Sequence, residues 1–190
     1  MNDITPKLLT ILQMVNEWLR FGEAKNGILF GFSGAGITAT ITYLSAAPKN
    51  SMSIQIGVLI TTFLLCVCAL VCALSFLPRT NLEYLVWRKS EPRRKLKSKQ
   101  DDNGNFYYFG HLLNYQADEL LEALNRLYFE GNVKNIKQKE YLDIANQIVI
   151  NSEIAYLKYR LFLVALYLLI LAISSIPICL IFSLIIYHAV

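Results

Sequence analysis

The sequence predicts an all-α membrane protein: three transmembrane helices and a small helical cytoplasmic region whose long helix runs into the last span. Three observations predict it. The 190-residue chain is 55% hydrophobic with mean hydropathy +0.40, too apolar for an ordinary soluble domain. Its apolar residues gather in runs free of Asp, Glu, Lys and Arg: Asn26 to Pro48, Asn50 to Pro78, and Leu161 to Val190. A bilayer core takes about 20 apolar residues as helix, so each run suffices for one span. The segment from Ile136 into the last run also keeps a helical period, with no breaker before Leu161.

Residues 1–26 form the first region, read as an amphipathic cytoplasmic helix over 5–25. Thr5 suits its cap and Pro6 its first turn. Leu8, Leu9, Ile11, Leu12, Val15, Trp18 and Leu19 make a broad apolar face; Asp3, Lys7, Asn16, Glu17 and Arg20 are the polar remainder. Such a helix either lies among lipid headgroups or packs on the soluble part of its own or a neighbouring subunit. Its few Lys and Arg residues favour packing. Gly22 reads as a soft point before the first span. No basic segment, short apolar stretch and small-residue cleavage site occur in succession, so the first span is expected to remain as an anchor.

Residues 27–77 read as a transmembrane hairpin with spans of about 27–46 and 54–77. Gly27 and Gly31 form a GxxxG pair. Glycine in a helix costs about 1 kcal/mol relative to alanine, but it lets another backbone approach closely. The same face continues through Gly34 or Ala35, Thr38, Thr42 and Ser45. The second span carries a comparable stripe of Gly57, Thr61, Leu65, Cys68, Cys72 and Ser75. The two stripes either pack the hairpin or line a pore between subunits, and packing is the simpler reading. Gly27, Gly31, Gly34, Thr38, Thr42, Gly57, Thr61 and Ser75 are thus the candidates for membrane packing or pore lining.

Residues 78–160 form the region between spans two and three, expected to be a cytoplasmic sensor. Residues 79–101 are strongly basic, with Arg79, Arg88, Lys89, Arg93, Arg94, Lys95, Lys97 and Lys99 against Glu83, Glu91 and Asp101. The turn between the first two spans has only Lys49. The positive-inside rule therefore places the basic region and the N-terminus in the cytoplasm and the C-terminus outside. Trp18 and Trp87 fall near the inner interface. Topology and attraction to anionic lipid explain the basic run most simply. A phosphate-bearing small ligand is a second reading, and nucleic acid is disfavoured because no base-reading module is visible.

After the turn Asp102–Asn105 comes the aromatic run Phe106–Phe109, then Gly110 and His111. A helix over about Tyr115–Phe129 follows, capped by Asn114 with Asp118 and Glu119 in its first turn, and Gly131-Asn132 end it. The next helix starts near Ile136 and becomes the third span, 161–190, with Lys158 and Arg160 at the inner boundary. Pro177 is expected to kink that span, where Ser174 and Ser175 can satisfy freed backbone groups. The soluble part is too small for a roomy pocket of its own. Its core is expected to draw on the amino-terminal helix, the membrane portion or another subunit.

No enzyme signature, metal-ligand spacing or cofactor motif is present, so no catalytic residue and no metal is assigned. Cys66, Cys68, Cys72 and Cys179 read as small packing residues. His111 lies among aromatics, and a catalytic role would need a partner the sequence does not place. The spans lack the ionisable residues of pumps and proton carriers. What remains is a membrane bundle joined through a long helix to a small sensor or assembly surface.

The stretch GEAKNGILFGFSGAG, residues 22–36, resembles the motif of the transmembrane effectors of Pycsar, the pyrimidine cyclase system for antiphage resistance. Lys25 and Gly27-Ile28-Leu29 match that motif; Glu23 stands for its aspartate, and Ser33-Gly34 for its asparagine-glycine. Leu77-Pro78-Arg79, the aromatic-glycine segment Asn105–His111 and Gln147–Arg160 are similar too, in the same order along nearly the whole chain. The resemblance implies an antiphage effector of the bacterial inner membrane. A partner cyclase makes cCMP or cUMP during infection, and the effector, expected to be a homo-oligomer acting on the lipid bilayer, compromises the membrane and causes abortive infection. No nucleic-acid partner and no cofactor beyond the regulatory nucleotide is expected. Ligand residues follow from chemistry alone. A cyclic phosphate wants Arg or Lys, and Arg93, Arg94 and Lys95 are candidates. A pyrimidine wants a stacking platform, and Tyr107, Tyr108 and Phe109 are candidates, with His111 beside them; the same aromatics also read as core beneath the following helix. The alternative function is a membrane scaffold or signalling protein that forms no pore and recruits a protein partner.

Overall fold

All regular structure in a computed structural model of the chain, among the residues it describes (3–46, 52–77 and 104–189), is helical. In chain order the elements are α1 (Thr5–Ala46), α2 (Met52–Leu74), the single turn α3 (Phe109–Leu112), α4 (Ala117–Phe129) and α5 (Lys139–Ala189). α1, α2 and α5 are each long and apolar enough to cross a membrane. At 1.5 Å per residue, α5 extends about 75 Å and α1 about 60 Å, each well beyond the roughly 30 Å of a hydrocarbon core.

The chain divides into two compact units, Met1–Gly22 with Pro78–Lys158, and Glu23–Leu77 with Tyr159–Val190. α1 and α5 each contribute to both. α1 continues through Gly22 as unbroken helix. One glycine withdraws only about 1 kcal/mol from a helix, and Gly22 is buried.

In the first unit, Ile4 just before α1 and Leu8, Ile11 and Val15 within it are all fully buried. Their spacing of four, three and four residues puts them on one helical face. They share a core with Leu120, Leu121 and Leu124 of α4 and with Tyr141, Ala145 and Ile148 of α5. The amino-terminal helix thus packs into the unit rather than presenting this face to lipid. Its N-terminus is held by Asp3, not Thr5: the Asp3 carboxylate accepts the Thr5 N–H at 2.9 Å and the Thr5 hydroxyl at 2.7 Å.

Two further boundaries, the starts of α4 and α5, differ from the expectation, and α4 ends at Phe129 as expected. α4 begins at Ala117, where the Glu119 carboxylate accepts the Gln116 N–H at 3.0 Å and so fixes the start two residues later than Tyr115. Tyr115 is freed for the core. α4 ends in left-handed backbone at Glu130 (φ 52°) and Gly131 (φ 76°), the latter donating to the Asn125 carbonyl at 3.0 Å. Left-handed backbone suits glycine and stops a helix. α5 starts at Lys139, after a turn that Gln138 N–H closes on Asn135 C=O.

In the second unit, the inward residues of α2 are Gly57, Val58, Thr61, Leu65, Cys68 and Cys72, and Ser75 beyond its end is also buried. The inward stripe of α1 is Asn26, Leu29, Ser33 and Thr40, not the glycine face. A Cβ on Gly31 or Gly34 would meet nothing within 4 Å, and one on Gly27 would make only ordinary contact with Phe76. Thr38 and Thr42 are exposed beside them. Close approach happens elsewhere. A Cβ on Gly36 would lie 2.8 Å from Leu65 Cδ1, and one on Gly57 would lie 2.9 Å from Cys179 Cβ. Pro177 sits inside α5. Its missing N–H frees the carbonyl of Ile173, yet Ser174 and Ser175 donate to the carbonyls of Ile170 and Ala172, each at 2.8 Å.

Candidate functional site

The first unit gathers its functional chemistry in one aromatic cluster. Asn105 starts it: its side-chain oxygen accepts the Tyr107 N–H at 2.9 Å, and its carbonyl accepts the Tyr108 N–H at 3.0 Å. This tight turn throws four successive aromatic side chains in different directions. Phe106 is buried against Tyr115 (5.5 Å between ring centres) and meets Tyr128 edge-on at 6.1 Å. Phe109 is buried and lies 5.8 Å from Trp18. Tyr108 is 47% exposed and meets Trp18 edge-on at 6.4 Å. His111 stacks edge-on between Phe106 and Tyr115, 5.2 Å from each.

Two glycines allow this packing. A Cβ on Gly104 would fall 1.8 Å from the His111 ring, and one on Gly110 would fall 2.5 Å from the Tyr108 ring. Neither position accepts a side chain without moving a ring. Of the sequence-predicted stacking residues, Phe109 and His111 are therefore engaged in packing, and Tyr107 and Tyr108 keep reachable surface.

Tyr107 has a partner that sequence reasoning missed. Lys7 of α1 donates to its hydroxyl. The same ammonium lies 4.7 Å from the centre of the Tyr107 ring and 3.8 Å from that of Tyr128. A cation over a ring face is held by the ring quadrupole. No local spacing signals this contact, because its three residues come from α1, the aromatic turn and the end of α4. Arg93, Arg94 and Lys95 lie outside the described residues.

The second unit is stitched by buried polar groups. Ser33 donates to the Leu29 carbonyl at 2.8 Å and lies 3.1 Å from Cys68 Sγ, whose thiol donates to the Ala165 carbonyl at 3.2 Å. Three helices meet at that thiol. Farther along, the hydroxyls of Thr61 and Ser175 meet at 2.6 Å. Ser33, Thr61 and Ser175 each also satisfy a backbone carbonyl of their own helix, as Thr61 does with Gly57 at 2.9 Å; hydrocarbon supplies no other partner. Lys25 sits 5.3 Å from the ring centres of both Tyr159 and Phe162, so its positive charge faces aromatic surface of α5. Glu23, next to it in the motif, is half-buried.

A cavity of about 360 Å³ lies among the three spanning helices, lined by Ala39, Thr40, Tyr43, Ile54, Val58, Ile176 and Leu180. Its lining carries no charged side chain. Among the described residues, no three His, Cys, Asp or Glu side chains gather as a metal site would require.

Comparison with known proteins agrees with this architecture. The family model described as Pycsar effector protein domain matches residues 7–187. No curated protein and no solved structure matches the chain. The matched segment takes in all three apolar helices, the aromatic turn and α4, and with nearly its whole length covered, the chain belongs to the Pycsar effector family, membrane-helix effectors of antiphage defence that respond to a signal.

Proposed function

We propose that the chain senses a cyclic pyrimidine mononucleotide, cCMP or cUMP, and answers by disrupting the bacterial inner membrane, so that the infected cell arrests or dies. The observation that carries this reading is the family match over residues 7–187 on a chain with three helices apolar enough to span a bilayer. Family membership implies functional pairing with a cyclase through its cyclic nucleotide product.

In this reading the region of 78–160 and the N-terminus face the cytoplasm, as the basic run of 79–101 directs, and the C-terminus faces outward. The exposed face of Gly31, Gly34, Thr38 and Thr42 receives another subunit, since small residues let helices approach in lipid. α5 is a single helix from Lys139 to Ala189. A ligand that binds two arrangements of its cytoplasmic half unequally would bias the membrane half.

The test is dye release from liposomes carrying the purified, folded chain. Release on adding cCMP or cUMP, and not cAMP or cGMP, is the expected outcome. Intact liposomes with all four nucleotides would sink the membrane-disrupting reading and leave a scaffold that recruits a protein partner.

A further inference from the structure

We propose that Lys7, held between Tyr107 and Tyr128, is the phosphate contact of the nucleotide site, and that Tyr128 supplies the ring face on which the pyrimidine stacks. This rests on the reading above that the chain senses a cyclic pyrimidine mononucleotide.

Lys7 is a half-buried cation with unusual company. Its contacts among the described residues are the Tyr107 hydroxyl and the two tyrosine rings, and none is a carboxylate. Lys137 of the same unit shows the ordinary arrangement, with Glu122 at 2.8 Å. The acid nearest Lys7 in sequence, Asp3, is engaged with Thr5 and lies 3.3 Å from the Tyr141 hydroxyl. A partly desolvated ammonium is best satisfied by an anion, and a phosphate oxygen makes a charge-assisted hydrogen bond stronger than a phenol or a π-face offers.

The geometry then accounts for the base. Nζ covers the Tyr128 ring at 3.8 Å, and that tyrosine is 44% exposed. Moving the ammonium a short way onto a phosphate uncovers the ring, which can then stack a flat heterocycle. The parts are fixed in advance: Tyr107 by the Asn105 turn, Tyr128 by the edge of Phe106, Lys7 by the buried residues Ile4 and Leu8 on either side of it. Preorganisation of this kind lowers the entropy lost on binding. Because the contact ties α1 to α4, exchange of Lys7 from ring to phosphate is also a change that α1 registers.

The experiment uses the full chain in nanodiscs, titrated with cCMP and cUMP. Its lysines are then labelled with an amine-reactive ester, with and without saturating nucleotide. The expected result is saturable binding of at least one of the two, with Lys7 labelling falling about threefold or more as the phosphate engages it, and Lys137 labelling unchanged. Lys7→Gln should weaken binding about tenfold, the loss of one charged contact, whereas Lys7→Arg, which keeps the charge, stays within about threefold. Saturable binding that leaves Lys7 labelling unchanged overturns this proposal and leaves nucleotide sensing standing. No binding of either nucleotide to the wild-type chain overturns both. The labelling needs no substitution, so it decides the matter even where a variant fails to fold.

Discussion

Asn151 of α5 donates its side-chain amide to Asn16 Oδ1 of α1 at 2.8 Å, and Gln147 donates to Asn151 Oδ1 at 2.9 Å. Asn151 is only 9% exposed, so this amide chain pins the two long helices together inside the first unit. A buried amide that loses its partner costs about 1–3 kcal/mol. Asn16→Ala is therefore expected to destabilise the chain by about that much, read from thermal unfolding in detergent. Asn16→Leu with Asn151→Leu together should cost less than the sum of the single changes, because neither polar group is left stranded.

Two glycines of the apolar helices should respond differently to enlargement. Gly57→Ala places a Cβ 2.9 Å from Cys179 Cβ and 3.1 Å from its Sγ, and overpacking of this kind costs about 1–3 kcal/mol. Gly31→Leu enters open space and should leave the subunit's thermal stability unchanged. It should instead reduce oligomer formation, measured by light scattering in detergent. Unchanged oligomer size and unchanged toxicity in Gly31→Leu would remove the glycine face from the assembly.

The cap of α1 carries a pH dependence. The Thr5 hydroxyl and N–H bound to the Asp3 carboxylate hold its pKa below the ordinary 3.8. A lowered folded value means that the carboxylate's contribution is present above the unfolded pKa and is lost as pH falls through the folded one. Fraying of residues 5–8, followed by amide exchange, should therefore increase only in acid below about pH 4. Asp3→Asn should show no such acid step.

Replacing Arg93, Arg94 and Lys95 together by Gln tests the basic run. Nucleotide-dependent dye release is expected to need about tenfold more ligand if these side chains join Lys7 on the phosphate. A full response at unchanged concentration would leave them as a topology signal, and an inverted chain, read by protease accessibility in vesicles, would show that role directly.

The fold was readable where one physical quantity dominates. Long uncharged runs announce helices that cross a bilayer, because no other structure satisfies the backbone there. The core face of the first helix was readable too, since Leu8, Ile11 and Val15 recur at helical spacing and Lys and Arg are scarce around them. The inward stripe of α2 was legible because its small and polar residues, Gly57, Thr61, Cys68 and Ser75, coincide on one face. On α1 they do not coincide. The glycine face of Gly27, Gly31 and Gly34 competes with the adjacent face of Asn26, Leu29 and Ser33, and composition ranks the glycines first.

The sequence by itself determined the helical class, the three apolar spans and the unbroken run from the polar α5 segment into the last one, because each follows from local hydropathy and period. The tertiary structure decided which face of α1 turns inward: Ser33 finds Cys68 and Gly36 finds Leu65, and such complementarity is a property of pairs. It alone also brought Lys7 to Tyr107 and Tyr128. A cation's partner across distant segments has no signature in either segment, since attraction through space depends on where the chain folds and not on spacing along it.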